Sequence, residues 1–139
     1  MYLHQTKIRI RYGETDQMGY VYYGNYAQFF EIGRVEMLRS LGISYRSIEE
    51  QGIMLPVVDF SVKYIKPARY DDLITINTTI TEIPSVKIKF DYEIYNEKGV
   101  LLTTAKTTLV FVKKADMKPT FAPKELVHEL ELKQLENNS

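Results

Sequence analysis

The first third of the chain changes its hydrophobic pattern twice. Apolar and charged residues alternate over residues 6–12, which is the pattern of a half-buried β-strand. Residues 13–24 contain three glycines and have no clear period, so we predict a loop. From Asn25, a favourable N-cap, apolar residues recur at helical spacing until Gly42, a typical C-terminal cap. Since they lie on more than one side, we expect this helix to be buried nearly all round.

The rest of the chain has mainly the alternating pattern of β-structure. Four more strands are predicted, over about residues 58–64, 74–80, 86–94 and 100–114. A short helix is expected over residues 45–51, and Pro123 favours the start of a C-terminal helix. The simplest arrangement is α+β, with one antiparallel sheet of about five strands wrapped around a long central helix. Such a sheet cannot cover the helix completely, so we expect a second subunit to do so.

Length and composition restrict the class of protein. The 139 residues suit a single domain over 1–139, with a core of about 6–114 and a helical extension of about 123–136. Lys plus Arg balance Asp plus Glu at 18 each, which argues against nucleic-acid binding. No cysteine is present and the only histidines are His4 and His128, so we predict no metal ion, cofactor or histidine triad. The chain has neither a secretory pattern nor an apolar run of ~20 residues, which predicts a cytoplasmic protein without a membrane span.

The loop ahead of the central helix is the best candidate for chemistry. It carries Asp16, and a free aspartate is ionised at neutral pH. The first N–H groups of a helix lack an internal partner, so they could hold a carbonyl oxygen on which negative charge develops. Asp16 could then attack the carbonyl carbon or activate a water molecule. The residues leave open a second interpretation, in which Asp16 only binds backbone N–H groups of a turn.

This segment resembles a known family. The residues that carry the resemblance are Tyr12, Thr15, Asp16, Gly19, Val21 and Tyr22, then Asn25, Tyr26, Phe29, Glu31 and Arg34, and later Tyr64, Pro67, Ala68, Asp71 and Asp72. In this pattern the chain is similar to the hotdog-fold acyl-CoA thioesterases. The similarity is greatest to the 4-hydroxybenzoyl-CoA thioesterase branch, which includes acyl-CoA thioesterases associated with the Tol–Pal cluster. It covers roughly residues 7–113.

The resemblance implies a hotdog fold and an enzyme that hydrolyses acyl-CoA to a carboxylic acid and free CoA. It implies Asp16 as base or nucleophile, and backbone amides near Tyr23 and Gly24 as the groups that polarise the thioester carbonyl. It also implies a homodimer or homotetramer with acyl-CoA in clefts between subunits. Many relatives in the short-chain branch have histidine at the position of Tyr23, so the mechanism expected here needs no imidazole.

Other residues are candidates for binding substrate. An apolar pocket for the acyl group is predicted, with Tyr22, Met54 and Leu55 as its candidate residues. CoA carries several negative charges that basic side chains would attract, and the candidates for this contact are Lys63, Lys66, Arg69, Lys87 and Lys89. We expect Glu31 and Arg34, three positions apart, to form an ion pair, and Glu14 to be a solvated loop carboxylate.

Two other functions remain open from the sequence. A hotdog dehydratase or hydratase would act on acyl thioesters, but that chemistry usually needs a histidine with an acidic partner. Neither histidine lies in the predicted helix or its loop. A non-catalytic module would bind acyl thioesters without releasing a free thiol. The sequence also leaves open whether the acyl group is aliphatic or aromatic, and whether the donor is CoA or an acyl carrier protein.

Overall fold

Seven strands and three α-helices form the fold of residues 1–138, the part of the chain that the computed structural model describes. The strands are β1 (Tyr2–Arg9), β2 (Ile53–Met54), β3 (Val57–Tyr64), β4 (Leu73–Ile80), β5 (Lys87–Tyr95), β6 (Leu101–Val110) and β7 (Val112–Lys113). The helices are α1 (Tyr26–Ser40), α2 (Tyr45–Glu50) and α3 (Lys124–Asn138), with two 3₁₀ turns, Tyr12–Glu14 and Tyr23–Asn25, ahead of α1. No helix within this range is long and apolar enough to cross a membrane.

Five of the strands form one antiparallel sheet in the order β1-β4-β5-β6-β3, and β2 pairs separately with β7. Helix α1 packs against β1 and β4. It lies close to the sheet at Gly33, where a Cβ atom would lie 2.5 Å from Oγ1 of Thr78 and 3.2 Å from Cγ2 of Ile76. A larger residue there would push the helix away from the sheet. The predicted α+β arrangement of one sheet around a long helix is confirmed.

One side of α1 is exposed, so the prediction of a helix buried nearly all round is wrong for the single chain. Ala27, Gln28, Glu31 and Ile32 are exposed, while Phe29 and Phe30 are fully buried. The five-stranded sheet covers only the side that carries the two phenylalanines. Apolar residues on the other side are therefore available to contact a second surface.

Strand β3 forms one edge of the sheet and exposes most of its apolar side chains. Val57, Val58, Phe60 and Tyr64 are 48%, 56%, 42% and 47% exposed. β3 pairs with β6 along one side only. The alternating pattern therefore predicted the strand correctly. Helix α1 covers it only in part, through ring contacts of Tyr26 with Tyr64 and of Phe30 with Phe60.

Two strands have bounds that differ from the prediction. β1 begins at Tyr2, because its pairing with β4 extends to the Tyr2–Ile80 pair through polar residues that hide the alternation. It ends before Tyr12, which lies in a 3₁₀ turn and is 78% exposed. The last predicted strand is interrupted at Phe111, whose buried N–H donates to the carbonyl oxygen of Val86 at 2.9 Å.

Candidate active site

The loop that carries Asp16 is ordered by its own backbone hydrogen bonds. The N–H of Asp16 donates to the carbonyl oxygen of Tyr20 at 2.7 Å, and the N–H of Gly19 donates to that of Asp16 at 3.0 Å. Gly19 has φ +79°, a left-handed conformation that favours glycine. The N–H of Val21 donates to Ala68 at 2.9 Å, so the turn is also fastened to the segment that follows β3.

The carboxylate of Asp16 is oriented by this turn. Its Oδ1 accepts hydrogen bonds from the N–H groups of Met18 at 2.8 Å and Tyr20 at 3.2 Å. Within residues 1–138, no hydrogen bond to Oδ2 is formed. Asp16 therefore has the turn-forming role that the sequence left open, and it still keeps one oxygen without a protein donor. A carboxylate held in this way has a defined orientation before a substrate binds.

Glu14 and Asn25 join the loop to the start of α1. The carbonyl oxygen of Glu14 accepts the N–H of Tyr22 and Nδ2 of Asn25, both at 2.9 Å. Asn25 occupies the N-cap position of α1 as predicted, but its side chain makes no cap hydrogen bond to the helix. The prediction of a solvated Glu14 is wrong, because the residue is 8% exposed and its Oε1 accepts the N–H of Arg11 at 2.7 Å.

The 3₁₀ turn Tyr23–Asn25 leads directly into α1. The N–H of Asn25 donates to the carbonyl oxygen of Tyr22. The amides of Tyr23 and Gly24 come just before it, so they precede the N–H groups that bond inside the helix. They lie at the positive end of the helix dipole, where an oxyanion is stabilised. A Cβ atom on Gly24 would lie 2.6 Å from Cε2 of Tyr22, so only glycine lets that ring lie so close to the backbone.

An open cleft of about 610 Å³ lies between this loop and the end of β3. It is lined by Asp16, Tyr20, Val21, Tyr22, Tyr23, Tyr26, Tyr64, Ile65, Lys66 and Pro67. The hydroxyl of Tyr64 donates to the carbonyl oxygen of Tyr23 at 3.4 Å, which links β3 to the helix start. A side-chain hydrogen bond with Tyr23 raises the pKa of Tyr22, and burial raises the pKa of Tyr26 and Tyr64. These three phenols are therefore neutral at pH 7.

The structure separates the other candidate residues. Tyr22, Tyr23 and Lys66 share the cleft with Asp16, and the ring of Tyr20, which lines the same cleft, has the guanidinium of Arg69 5.3 Å from its centroid. The remaining candidates lie elsewhere. Met54 and Leu55 line a different cavity of about 240 Å³, and Lys63 lines one of about 460 Å³ on the sheet. Lys87 and Lys89 are on the exposed face of β5.

Arg34 is a buried residue whose partners the sequence did not reveal. It is 7% exposed and donates to the hydroxyls of Tyr92 at 3.0 Å and Tyr45 at 3.2 Å. The ion pair predicted with Glu31 is not formed within the described residues, because the guanidinium lies in the core and Glu31 is exposed. Burial raises the pKa of Tyr92 to about 12, although Arg34 acts in the opposite direction. Helical spacing alone had suggested the wrong partner.

The sequence also matches a described protein family. The thioesterase superfamily matches residues 18–103, which is more than half of the chain. The chain belongs to this superfamily. The matched range includes Tyr22, Tyr23 and Gly24, and it begins two residues after Asp16.

Individual relatives extend over most of the chain. YneP of Bacillus subtilis is 37% identical over 119 residues, which is 86% of each chain. The acyl-CoA thioester hydrolase YbgC of Escherichia coli O6:H1 is 35% identical over 127 residues, 91% of this chain and 95% of its own. The solved structure of DHNA-CoA thioesterase from Staphylococcus aureus is 37% identical, has a TM-score of 0.91, and is matched over 99% of this chain and 95% of that one. The predictions of a hotdog fold and of an enzyme that hydrolyses thioesters are confirmed.

Proposed function

We propose that the protein hydrolyses acyl-CoA at the cleft between the Asp16 loop and the start of α1. The observation that carries the proposal is the position of Asp16. One oxygen of its carboxylate is held by two N–H groups, the other has no hydrogen bond among the described residues, and the same cleft contains Tyr22 and Tyr23 at the helix start. The similarity to YbgC, an acyl-CoA thioester hydrolase, supports CoA as the thiol.

The amides of Tyr23 and Gly24 accept the developing oxyanion in this mechanism. If Asp16 is the base, it removes a proton from water as the water oxygen attacks the carbonyl carbon. The tetrahedral oxyanion then collapses, the C–S bond breaks, and the CoA thiolate leaves and receives the proton. If Asp16 is the nucleophile, its oxygen forms a mixed anhydride and expels the thiolate, and water hydrolyses the anhydride. Neither route needs a histidine, and no histidine is among the described residues that line the cleft.

The two routes differ in which carboxyl groups can receive the oxygen atom of water. In H₂¹⁸O, only the nucleophilic route can place ¹⁸O in the side chain of Asp16, through attack of water on the aspartyl carbon of the anhydride. Mass spectrometry of the peptide that contains Asp16, after many turnovers, detects this label. Labelled Asp16 establishes the nucleophile. An unlabelled residue excludes only attack of water on the aspartyl carbon, because attack on the acyl carbon of the anhydride labels the product alone, as the base route does.

The acyl group that this cleft favours is flat and aromatic. Five of the residues that line it are tyrosines, and aromatic rings pack against each other in offset or edge-on geometry. Slr0204 of Synechocystis, a solved structure with 26% identity and a TM-score of 0.85, is named as a 1,4-dihydroxy-2-naphthoyl-CoA thioesterase, and that acyl group is aromatic. The test is a panel of aliphatic and aromatic acyl-CoA substrates assayed for free thiol, with Asp16→Asn as the inactive control. We expect the highest kcat/KM with an aromatic acyl group, and a uniform lack of thiol release would leave only a binding module.

A dimer completes the covering of α1 and β3 in this proposal. The exposed edge of β3 and the exposed side of α1, with Ile32 at 39% exposure, lie on the same chain without a covering element among the described residues. An uncovered apolar edge strand readily pairs with another strand. A second copy offers the same surface, as a two-fold interface requires. The cytoplasmic location expected from the sequence stays a prediction.

A further inference from the structure

A second cleft lies beside the cleft that contains Asp16. It has a volume of about 500 Å³, and the two clefts share Lys66 and Pro67 as lining residues. The other residues that line it are Arg69, Asp72, Asn96, Glu97, Lys98, Val100 and Leu102. The two clefts therefore adjoin at Lys66 and Pro67.

Three cations line this second cleft without an ion pair in the described part of the chain. They are Lys66, Arg69 and Lys98, and all three are exposed. Both carboxylates of the cleft have other partners. Asp72 accepts the backbone N–H of Arg69 at 2.9 Å, while Glu97 accepts the N–H of Leu73 at 2.9 Å and lies 3.8 Å from Arg9. The lining therefore carries three cations against two carboxylates, so its net charge is positive by one.

The guanidinium of one of these cations and the backbone of another are held by their surroundings. The guanidinium of Arg69 lies 5.3 Å from the centroid of the Tyr20 ring, which lines the first cleft. Lys98 is in a tight turn, where Oδ1 of Asn96 accepts the N–H groups of Lys98 at 2.9 Å and Val100 at 3.0 Å. The backbone that carries each charge is therefore ordered before a ligand binds, which reduces the entropy lost on binding.

We propose that this second cleft binds the phosphates of CoA through Lys66, Arg69 and Lys98 while the thioester lies beside Asp16. The inference rests on the proposed function, because it requires an acyl-CoA substrate. It distinguishes these cations from Lys63, Lys87 and Lys89, which do not line either cleft. It also adds Lys98, which is far from Asp16 in the sequence.

The test compares Lys98→Glu with the wild type on two substrates that carry the same acyl group. One is the acyl-CoA, and the other is the acyl thioester of N-acetylcysteamine, which has no phosphate. We expect the charge reversal to raise KM for acyl-CoA about tenfold, as lost charge-assisted hydrogen bonds do, with kcat little changed. Kinetics on the truncated thioester stay at the wild-type value. Added salt raises the wild-type KM for acyl-CoA more than that of the variant, because exposed charges are screened.

The control is a charge reversal at a lysine outside both clefts. Lys118→Glu reverses an exposed charge that lines neither cleft, and its KM stays at the wild-type value. An unchanged KM for acyl-CoA in Lys98→Glu, or an equal loss on both substrates, overturns the phosphate site. So does a kcat/KM that is higher for an acyl carrier protein thioester than for acyl-CoA. If the wild type releases thiol from neither small substrate, the proposed function itself fails, which is a different result.

Discussion

Nδ2 of Asn25 donates a hydrogen bond of 2.9 Å to the carbonyl oxygen of Glu14, and this contact joins the first turn of the central helix to the loop of Asp16. The same oxygen also accepts the N–H of Tyr22. The carboxylate and the amides proposed for catalysis therefore lie on two segments with a shared anchor. The side chain of Asn25 therefore helps to fix the position of the loop relative to the helix start.

Replacement of Asn25 tests this anchor. Asn25→Ala removes the donor, so we expect a loss of about 1 kcal/mol in the free energy of unfolding. We also expect a fall in kcat that is larger than the change in KM, since the loop and the helix start lose their alignment. Urea unfolding and steady-state kinetics measure the two effects. A variant with reduced stability and an unchanged kcat would contradict the positioning role.

Asp16→Asn separates chemistry from local structure. The amide oxygen of Asn still accepts the N–H groups of Met18 and Tyr20, so the turn is expected to remain. Loss of the base or nucleophile is expected to lower kcat by about 10²- to 10⁴-fold. Circular dichroism confirms the fold while a thiol-release assay measures the rate. Turnover equal to that of the wild type would refute the assignment of Asp16.

Gly24→Ala tests the close contact between Gly24 and Tyr22. The added Cβ would lie 2.6 Å from Cε2 of Tyr22, so the ring must move. Because that ring lines the cleft, we expect KM for acyl-CoA to rise while the protein stays folded. Gly13→Ala is the matched control, since a Cβ there meets no atom within 4 Å. Equal kinetic effects of the two substitutions would show that the contact is unimportant.

Tyr92 makes the stability of the protein sensitive to alkaline pH. Burial raises its pKa to about 12, against about 10 in an unfolded chain. Because the pKa of Tyr92 is higher in the folded state, neutral Tyr92 contributes to the free energy of unfolding. This contribution is complete below pH 10 and is lost as the pH rises from 10 towards 12. The loss is on the order of 2 kcal/mol. Urea unfolding between pH 9 and pH 11.5 measures it, and Tyr92→Phe, which cannot ionise, should decline less steeply. The same slope in both proteins would show that Tyr92 does not cause it.

The exposed surface of β3 and α1 predicts a dimer in solution. Val58 is 56% exposed on the edge strand, and Val58→Lys places a charge in the proposed interface. We expect sedimentation to show a dimer or tetramer for the wild type and a smaller species for the variant. Thr81→Lys, at an exposed position outside β3 and α1, should keep the wild-type mass. A monomeric wild type would refute the interface.

Local patterns along the chain were sufficient for the main features of this protein. The Asp16 loop, the helix that follows it and the strands have signals that depend on residues a few positions apart, such as period, glycine and turn residues. Gly42 illustrates this, because it has φ +78° at the end of α1 as its position predicted. The thioesterase activity was indicated by the same short segment, since the family resemblance depends on the spacing of its residues.

Contacts between distant residues required the tertiary structure. Arg34 meets Tyr92, 58 positions away, and the spacing to Glu31 carried no information about that partner. Glu14 is buried because the loop folds back onto the helix start. Its neighbours in the sequence do not indicate this, since they are equally compatible with a solvated residue. Lysines that the sequence could not tell apart also have different surroundings in the fold. Lys66 lines the cleft, whereas Lys89 is on the exposed face of β5. Burial and charge environment depend on which segments the fold brings together, and no short pattern encodes that.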